Sequence, residues 1–252
     1  MGKLEGRVAI VTGASSGIGR ACAVRFAEEG ATVVVCARRT ESLKGLVWEI
    51  EATGGQALAV TCDVTKPTDI SHVVSTAIGT FGAVDILANI AQGGIEDLSD
   101  IADTTAERAQ YAYDSGPLQS MLFMQECFKY MRTQRYGRII NTASPAAVTG
   151  FPGLAAYAMA KGAVMALTRS ASQEWGQFGI VTNTFLPWVR TETFDQTELA
   201  KSLPTMEASS PLRRMGTAYE DCTPVLAFLA SEEARYINGQ AIAVDGGRRL
   251  IA

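Results

Sequence analysis

Seven short runs rich in Val, Ile and Ala punctuate the chain, and longer segments that mix polar and apolar positions at helical spacing separate them. The runs are Arg7–Val11, Thr32–Cys36, Gln56–Thr61, Asp85–Ala91, Arg138–Asn141, Val181–Phe185 and Ala241–Val244. They are short, largely apolar and rich in β-branched residues, as expected of strands covered on both faces. Arg20–Glu29 reads as an amphipathic helix, and a long charged helix precedes Gln56. The segment around Tyr157 runs on through Ala158, Met159, Ala160, Ala163, Val164, Met165, Ala166 and Leu167, apolar on more than one face, so it needs covering on several sides. Strand and helix alternate along the whole chain. The pattern predicts an α/β fold: a doubly wound parallel sheet of seven strands with helices on both faces.

At 252 residues the chain fits one α/β domain, residues 1–252, with an ample core. Hydrophobic residues at 47% and charged residues at 19% indicate a globular protein. A formal net charge of −4 without a clustered basic stripe argues against nucleic acid and anionic membrane as partners. No apolar run reaches the roughly 18 residues of a membrane helix, and the first six residues lack the apolar core of a signal peptide. A cytoplasmic location is the expectation. Cys22, Cys36, Cys62, Cys127 and Cys222 are odd in number, scattered and free of C-x-x-C spacing, which reads as reduced, mostly buried thiols with no metal site. The one histidine, His72, falls in a helix without nearby ligand partners.

The first strand stops at T-G-A-S-S-G-I-G, Thr12 to Gly19, just before a helix. Gly13 permits a tight turn, Gly17 lets a phosphate approach the backbone, and Gly19 allows the helix to pack closely on the strand. Free N–H groups at Ser15, Ser16, Ile18 and their neighbours, together with the helix dipole, then face the anion. The end of the second strand is where such a fold reads the 2′ position of an adenosine ribose. Arg38 and Arg39 stand there in place of an Asp or Glu, which favours NADP(H) over NAD(H), and Ser15 offers a further hydrogen bond to the phosphate. Asp63 and Val64 follow the third strand at the adenine; Asp63 either accepts from the adenine amino group or caps the next helix.

Tyr157 and Lys161 are four apart in an Ala/Met-rich stretch without proline, so on a helix they share a face. An ammonium beside a phenol stabilises the phenolate and lowers the tyrosine pKa, fitting it to give and take a proton. Ser144 sits at the end of the fifth strand, and Gly150, Pro152 and Gly153 turn the chain back over the helix.

With the turn from Thr12 to Gly19, Asp63-Val64, Asn89 with Ala91, Ser144 thirteen residues before Tyr157, Lys161 and the closing Val244-Asp245-Gly246-Gly247, the chain resembles the short-chain dehydrogenase/reductase family along essentially its full length. The resemblance implies a Rossmann-type fold and hydride transfer between a nicotinamide and a ketone, aldehyde or alcohol. It implies Tyr157 as general acid or base, Lys161 on the nicotinamide ribose, and Ser144 on the substrate oxygen. Asn89, Ala91, Pro187, Val189 and Thr191 become cofactor residues by the same resemblance. It also implies a homotetramer, with a dimer next, assembled through the Tyr157 helix and the segment from Tyr236 to Ala252.

Three positions depart from the family's pattern. Its Asn-Asn-Ala-Gly stretch reads Asn89-Ile90-Ala91-Gln92, which sends Gln92 toward the substrate site. The asparagine that holds a relay water is replaced by Gly116, and Pro117 after it predicts a kinked or restarted helix. The usual Pro-Gly reads Pro187-Trp188, with the stretch to Thr191 one residue short. Beyond it, residues 188–213 are expected to form a substrate lid, since they follow the carboxyl end of a strand. Phe151, Trp188, Phe194 and Met206 are the candidate lining of an apolar pocket for a bulky carbonyl substrate. Competing readings are a catalytically weakened nucleotide-binding sensor or scaffold of the same fold, and a different chemistry on it such as sugar-nucleotide epimerisation or enoyl reduction.

Overall fold

The structure, a computed structural model, describes residues 2–95 and 98–248. Its strands are β1 (Val8–Thr12), β2 (Thr32–Ala37), β3 (Gln56–Thr61), β4 (Ile86–Asn89), β5 (Gly137–Thr142), β6 (Ile180–Pro187), β7 (Val189–Arg190), β8 (Gly216–Thr217) and β9 (Ala241–Val244). Seven of them form one sheet in the order β3-β2-β1-β4-β5-β6-β9, every pair parallel, and β7 and β8 pair apart from it. The expected seven strands and their parallel sheet are all present. Because β1 runs to β2 on one side and β4 lies on the other, the chain reverses direction across the sheet between β1 and β4. That switch point opens a crevice at the strands' carboxyl ends.

Helices cover both faces. They are α1 (Gly17–Glu28), α2 (Thr40–Ala52), α3 (Pro67–Phe81), α4 (Ala106–Tyr113), α5 (Gln119–Gln134), α6 (Ala146–Thr149), α7 (Ala155–Trp175), α8 (Glu192–Asp195), α9 (Leu203–Ala208) and α10 (Thr223–Ala230). One face buries Phe26, Leu43, Leu46 and Leu226 against alternate residues of the strands; the other buries Ile70, Val73, Phe123 and Met131. Val33 and Val35 face the first core while Val34 and Cys36 face the second, the two-residue period of a strand buried on both sides. Local signals set the helix ends: Pro67 opens α3, where its missing N–H costs nothing, and Gly82 ends it at φ +77°.

At Pro117, where a kinked or restarted helix is expected, the α-helical register is interrupted and resumes at Gln119. Residues Asp114–Leu118 form a π-helical segment joining α4 to α5, with Tyr113 and Leu118 in ordinary helical dihedrals. Widening by one residue accommodates the proline within a continuous helix. All five cysteines are buried thiols. Among the described residues no helix is long and apolar enough to cross a membrane. Residue 1, and residues 249–252 of the segment expected at an interface, lie outside the described residues.

Candidate active site

The turn between β1 and α1 is built from backbone. Gly13 and Gly17 hold φ of +69° and +53°, where a side chain is strained. A Cβ on Gly19 would lie 2.4 Å from the Gly13 carbonyl oxygen, and one on Gly13 would lie 3.0 Å from Ala91. Thr12 fixes this approach, since its Oγ1 accepts from the N–H groups of Ile90 and Ala91 at 2.9 and 3.0 Å. At the start of α1 the Gly17 N–H donates to a carboxylate oxygen of Glu192 at 3.1 Å. An anion from far along the chain thus sits at the helix N-terminus, where the dipole and free N–H groups favour negative charge.

Arg39 reaches across this turn, donating from Nη2 to Ser15 Oγ at 3.0 Å and to Ser16 Oγ at 2.6 Å. Arg38 lines the same cavity and lies close enough to Asp63 to help lower its pKa. Burial works against that lowering, but the Thr65 hydrogen bonds, Lys66 and Arg38 outweigh it. Asp63 does not cap the next helix, whose N-cap is Lys66; its Oδ1 instead holds a turn, accepting from Thr65 N and Thr65 Oγ1 at 3.1 and 2.8 Å. The carboxylate also stands in the cavity wall beside Val64.

Ser144 follows β5, and its Oγ accepts from Ala146 N at 3.2 Å. Gly150 and Gly153, at φ +67° and +82°, turn the chain into α7. There Lys161 Nζ lies 5.6 Å from the centre of the Tyr157 ring. Lys161 is only 2% exposed and donates to the Thr142 carbonyl at 2.6 Å. Burial pulls its pKa down from 10.5 to about 7. Spacing alone makes this lysine a fixed cation; burial brings it near the midpoint of its titration at neutral pH.

Ser144, Tyr157, Lys161 and the Gly13–Gly19 turn all border one cavity of about 1170 Å³. Ala91, Gln92, Phe151, Pro187, Trp188, Val189, Thr191, Phe194 and Met206 line it too. Asn89 does not. It lies beneath the cavity, 2% exposed, donating to Asn141 Oδ1 at 2.9 Å and so tying β4 to β5.

Gln92 is on the cavity wall, with its amide nitrogen held by neighbouring backbone. Its Nε2 donates to the carbonyls of Gly93 at 2.8 Å and Ala112 at 3.1 Å. The carboxamide covers Gly116, where a Cβ would lie 2.3 Å from Oε1. The long side chain at one departure thus occupies the room left by the missing side chain at another.

The segment after β6 folds over the cavity as short helices. Trp188, Phe194 and Met215 are buried together, with Leu199, Leu203 and Met206 packed on them. Thr191 starts α8, its Oγ1 accepting from Phe194 N at 3.2 Å. Arg248 stacks on the Trp188 ring at 4.3 Å. Glu192, Tyr111 and Arg248 also line the cavity and were not singled out from the sequence. Glu192 carries a faint signal, an acid directly after Thr191, whereas Tyr111 and Arg248 carry none.

A family model described as enoyl-(acyl carrier protein) reductase matches residues 13–249. The chain is 34% identical over 251 residues to the short-chain dehydrogenase/reductase eriH of Hericium erinaceus, covering 96% of this chain and 97% of that one. It is 33% identical over 250 residues to the 3-oxoacyl-acyl-carrier-protein reductase FabG of Thermotoga maritima, covering 97% and 98%. The solved structure of a short-chain type dehydrogenase/reductase from Mycobacterium marinum superposes with a TM-score of 0.90 at 32% identity, over 99% of this chain and 98% of that one. Likeness over nearly the full length in both sequence and fold, on top of the shared turn and the Ser144, Tyr157 and Lys161 pattern, places the chain among the oxidoreductases that use nicotinamide dinucleotides: it belongs to the short-chain dehydrogenase/reductase family.

Proposed function

We propose that the protein is an NADP(H)-dependent oxidoreductase that interconverts a bulky, largely apolar ketone or aldehyde with the corresponding alcohol. One observation carries the reading: Ser144, Tyr157 and Lys161 border the same cavity as the glycine turn that fits a dinucleotide. The turn suits such a group because the Gly17 N–H already holds an anion, the Glu192 carboxylate, and because Cβ atoms at Gly13 and Gly19 would press on backbone. When bound there, the nicotinamide exchanges a hydride with the substrate carbon. The protein's own work is positional and electrostatic. Tyr157 gives its phenolic proton to the carbonyl oxygen in reduction and takes it back in oxidation. Ser144 Oγ donates to that oxygen as negative charge develops on it. Lys161 holds the ribose hydroxyls, whose oxygens accept from the ammonium beside the Thr142 carbonyl that it already contacts.

Arg39, hydrogen-bonded to Ser15 and Ser16, supports the choice of NADP(H), since its guanidinium spans the rim where a 2′-phosphate docks. Trp188, Phe194, Phe151 and Met206 support an apolar substrate, and residues 188–213 serve as its lid within a single domain of 1–252. The same reading carries a cytoplasmic homotetramer, with a dimer next; Met159, 66% exposed on α7, lies on the face such an assembly covers.

The test is consumption of NADPH and of NADH with a panel of bulky ketones, for the native protein and Tyr157→Phe. Native turnover with NADPH should exceed that with NADH, and Tyr157→Phe should lower kcat by about 10²- to 10⁴-fold. Turnover that survives in Tyr157→Phe removes the tyrosine from the chemistry, and a preference for NADH reverses the role of Arg39.

A further inference from the structure

A second cavity, of about 250 Å³, lies beside the first. Tyr111, Leu154 and Tyr157 border both, so these three side chains form the wall between them. Leu154 and Tyr157 are buried. Leu154 is also tied down by backbone, since it forms a parallel bridge with Ser99, whose N–H donates to the Gly153 carbonyl at 3.1 Å. Tyr111, on α4, is the exposed member of the wall, at 43%.

The Tyr111 ring has a built seat. Ser115, one turn along, donates from Oγ to the Tyr111 carbonyl at 2.7 Å and accepts from the Gly93 N–H at 3.2 Å, which clamps the chain after β4 against the helix. The edge of the ring then lies on Gly93, where a Cβ would sit 2.5 Å from the Tyr111 hydroxyl oxygen. Only a residue without a Cβ leaves the ring this place. Behind the ring the lining is mixed: Leu154 and Ala156 are apolar, Ser99 Oγ and Thr104 Oγ1 bond each other at 3.0 Å, and Glu107 and Arg108 carry opposite charges. A cavity of roughly 150 Å³ is enough to take a benzene ring. The second cavity therefore has room for one ring-sized group.

We infer that Tyr111 is a specificity-determining residue of the proposed reaction: its ring closes the second cavity to substrate and confines the protein to ketones with one bulky and one small substituent. The inference rests on the proposed reductase reading. Tyr157, which in that reading gives its proton to the carbonyl oxygen, borders both cavities, so the carbonyl lies beside the wall. One substituent extends into the large cavity toward Trp188 and Phe194; the other points at Tyr111. A methyl group fits in front of the ring, whereas a second aromatic group meets it. The barrier is the ring, held on Gly93, and not the hydroxyl.

The experiment uses the full chain with NADPH and a matched pair of ketones. Both carry a bulky group that the native protein accepts, and they differ in the second substituent, methyl in one and benzyl in the other. The native protein should prefer the methyl ketone by about tenfold or more in kcat/KM, the discrimination that a badly fitting group meets in a pocket. Tyr111→Ala should raise the benzyl-to-methyl ratio of kcat/KM by about tenfold, and Tyr111→Phe, which keeps the ring, should leave it within about threefold of native. A folding defect lowers both rates by one factor and does not move the ratio. A native protein that takes both ketones equally, a ratio unchanged in Tyr111→Ala, or a ratio raised as far in Tyr111→Phe overturns the inference alone. A native protein without Tyr157-dependent turnover of any ketone overturns the parent reading and the inference with it.

Discussion

At the β1–α1 turn, positive φ at Gly13 and Gly17 and the 2.4 Å approach of a Gly19 Cβ to the Gly13 carbonyl leave no freedom for a side chain. Beyond β6, by contrast, Trp188, Phe194 and Met215 hold the cavity's other wall by apolar contact with Leu199, Leu203 and Met206. One end of the cavity is shaped by backbone within a single turn. The other is shaped by side chains that meet only after several short helices have folded. The rigid end suits a ligand common to many enzymes, and the packed end can change its occupant by exchanging a few apolar residues.

The sharpest way to separate the two ends is to add one methyl to the first. Gly19→Ala sets a carbon against the backbone oxygen of Gly13, which cannot swing aside as a side chain would. The expected cost is about 2–3 kcal/mol of global stability, a Tm lower by roughly 4–12 °C, with dinucleotide binding lost alongside. Calorimetry of the free protein and titration with NADPH measure both. A Tm unchanged within a degree would mean that the turn yields, and the contrast with the lid would collapse.

Removing a ring from the second end should act locally. Phe194→Ala opens the Trp188–Met215 cluster, so KM for a bulky ketone should rise about tenfold, or about 1.4 kcal/mol, while global Tm stays within about 4 °C. Limited proteolysis should cut residues 192–210 faster, as expected of a segment that opens below the global unfolding energy. A global Tm loss matching that of Gly19→Ala would make the lid part of the core.

The same contrast decides what could be read from the sequence. Strands buried on both faces announce themselves as short apolar runs, and all seven lie where the runs do. Gly13, Gly17 and Gly19 are legible because φ and close approach are local properties. Ser144, Tyr157 and Lys161 were found by spacing, and the cavity gathers them. What stayed hidden depends on partners distant in the chain. Glu192 meets the Gly17 N–H across 175 residues. Gln92 lays its carboxamide over Gly116, on another element. Asn89 was assigned to the cofactor, but the register of β4 on β5 sets it opposite Asn141, beneath the wall. Pro117 marks an interruption of the helix in the sequence, but that the interruption takes π-helical form is not legible there.

Lys161 belongs to neither end: it lies on α7 with its ammonium on the Thr142 carbonyl, and its charge offers a separate test. The folded state holds its pKa at about 7 against 10.5 for an exposed lysine. Between those values the unfolded chain binds more protons than the folded one, so this group makes stability rise with pH, and below about pH 7 its contribution stops changing. From pH 7 to 8 the rise is about 1 kcal/mol, slightly under the 1.4 kcal/mol of a full unit because the group starts half protonated. Lys161→Met removes it. Urea unfolding of both proteins at pH 7 and 8 isolates the lysine, since the other titrating groups are common to the two and cancel in the difference. The native protein should gain about 1 kcal/mol relative to Lys161→Met over that unit. Parallel curves would mean that the ammonium keeps its charge in the fold. A gain that shrinks when NADPH is added would mark the ribose as the partner that restores the charge.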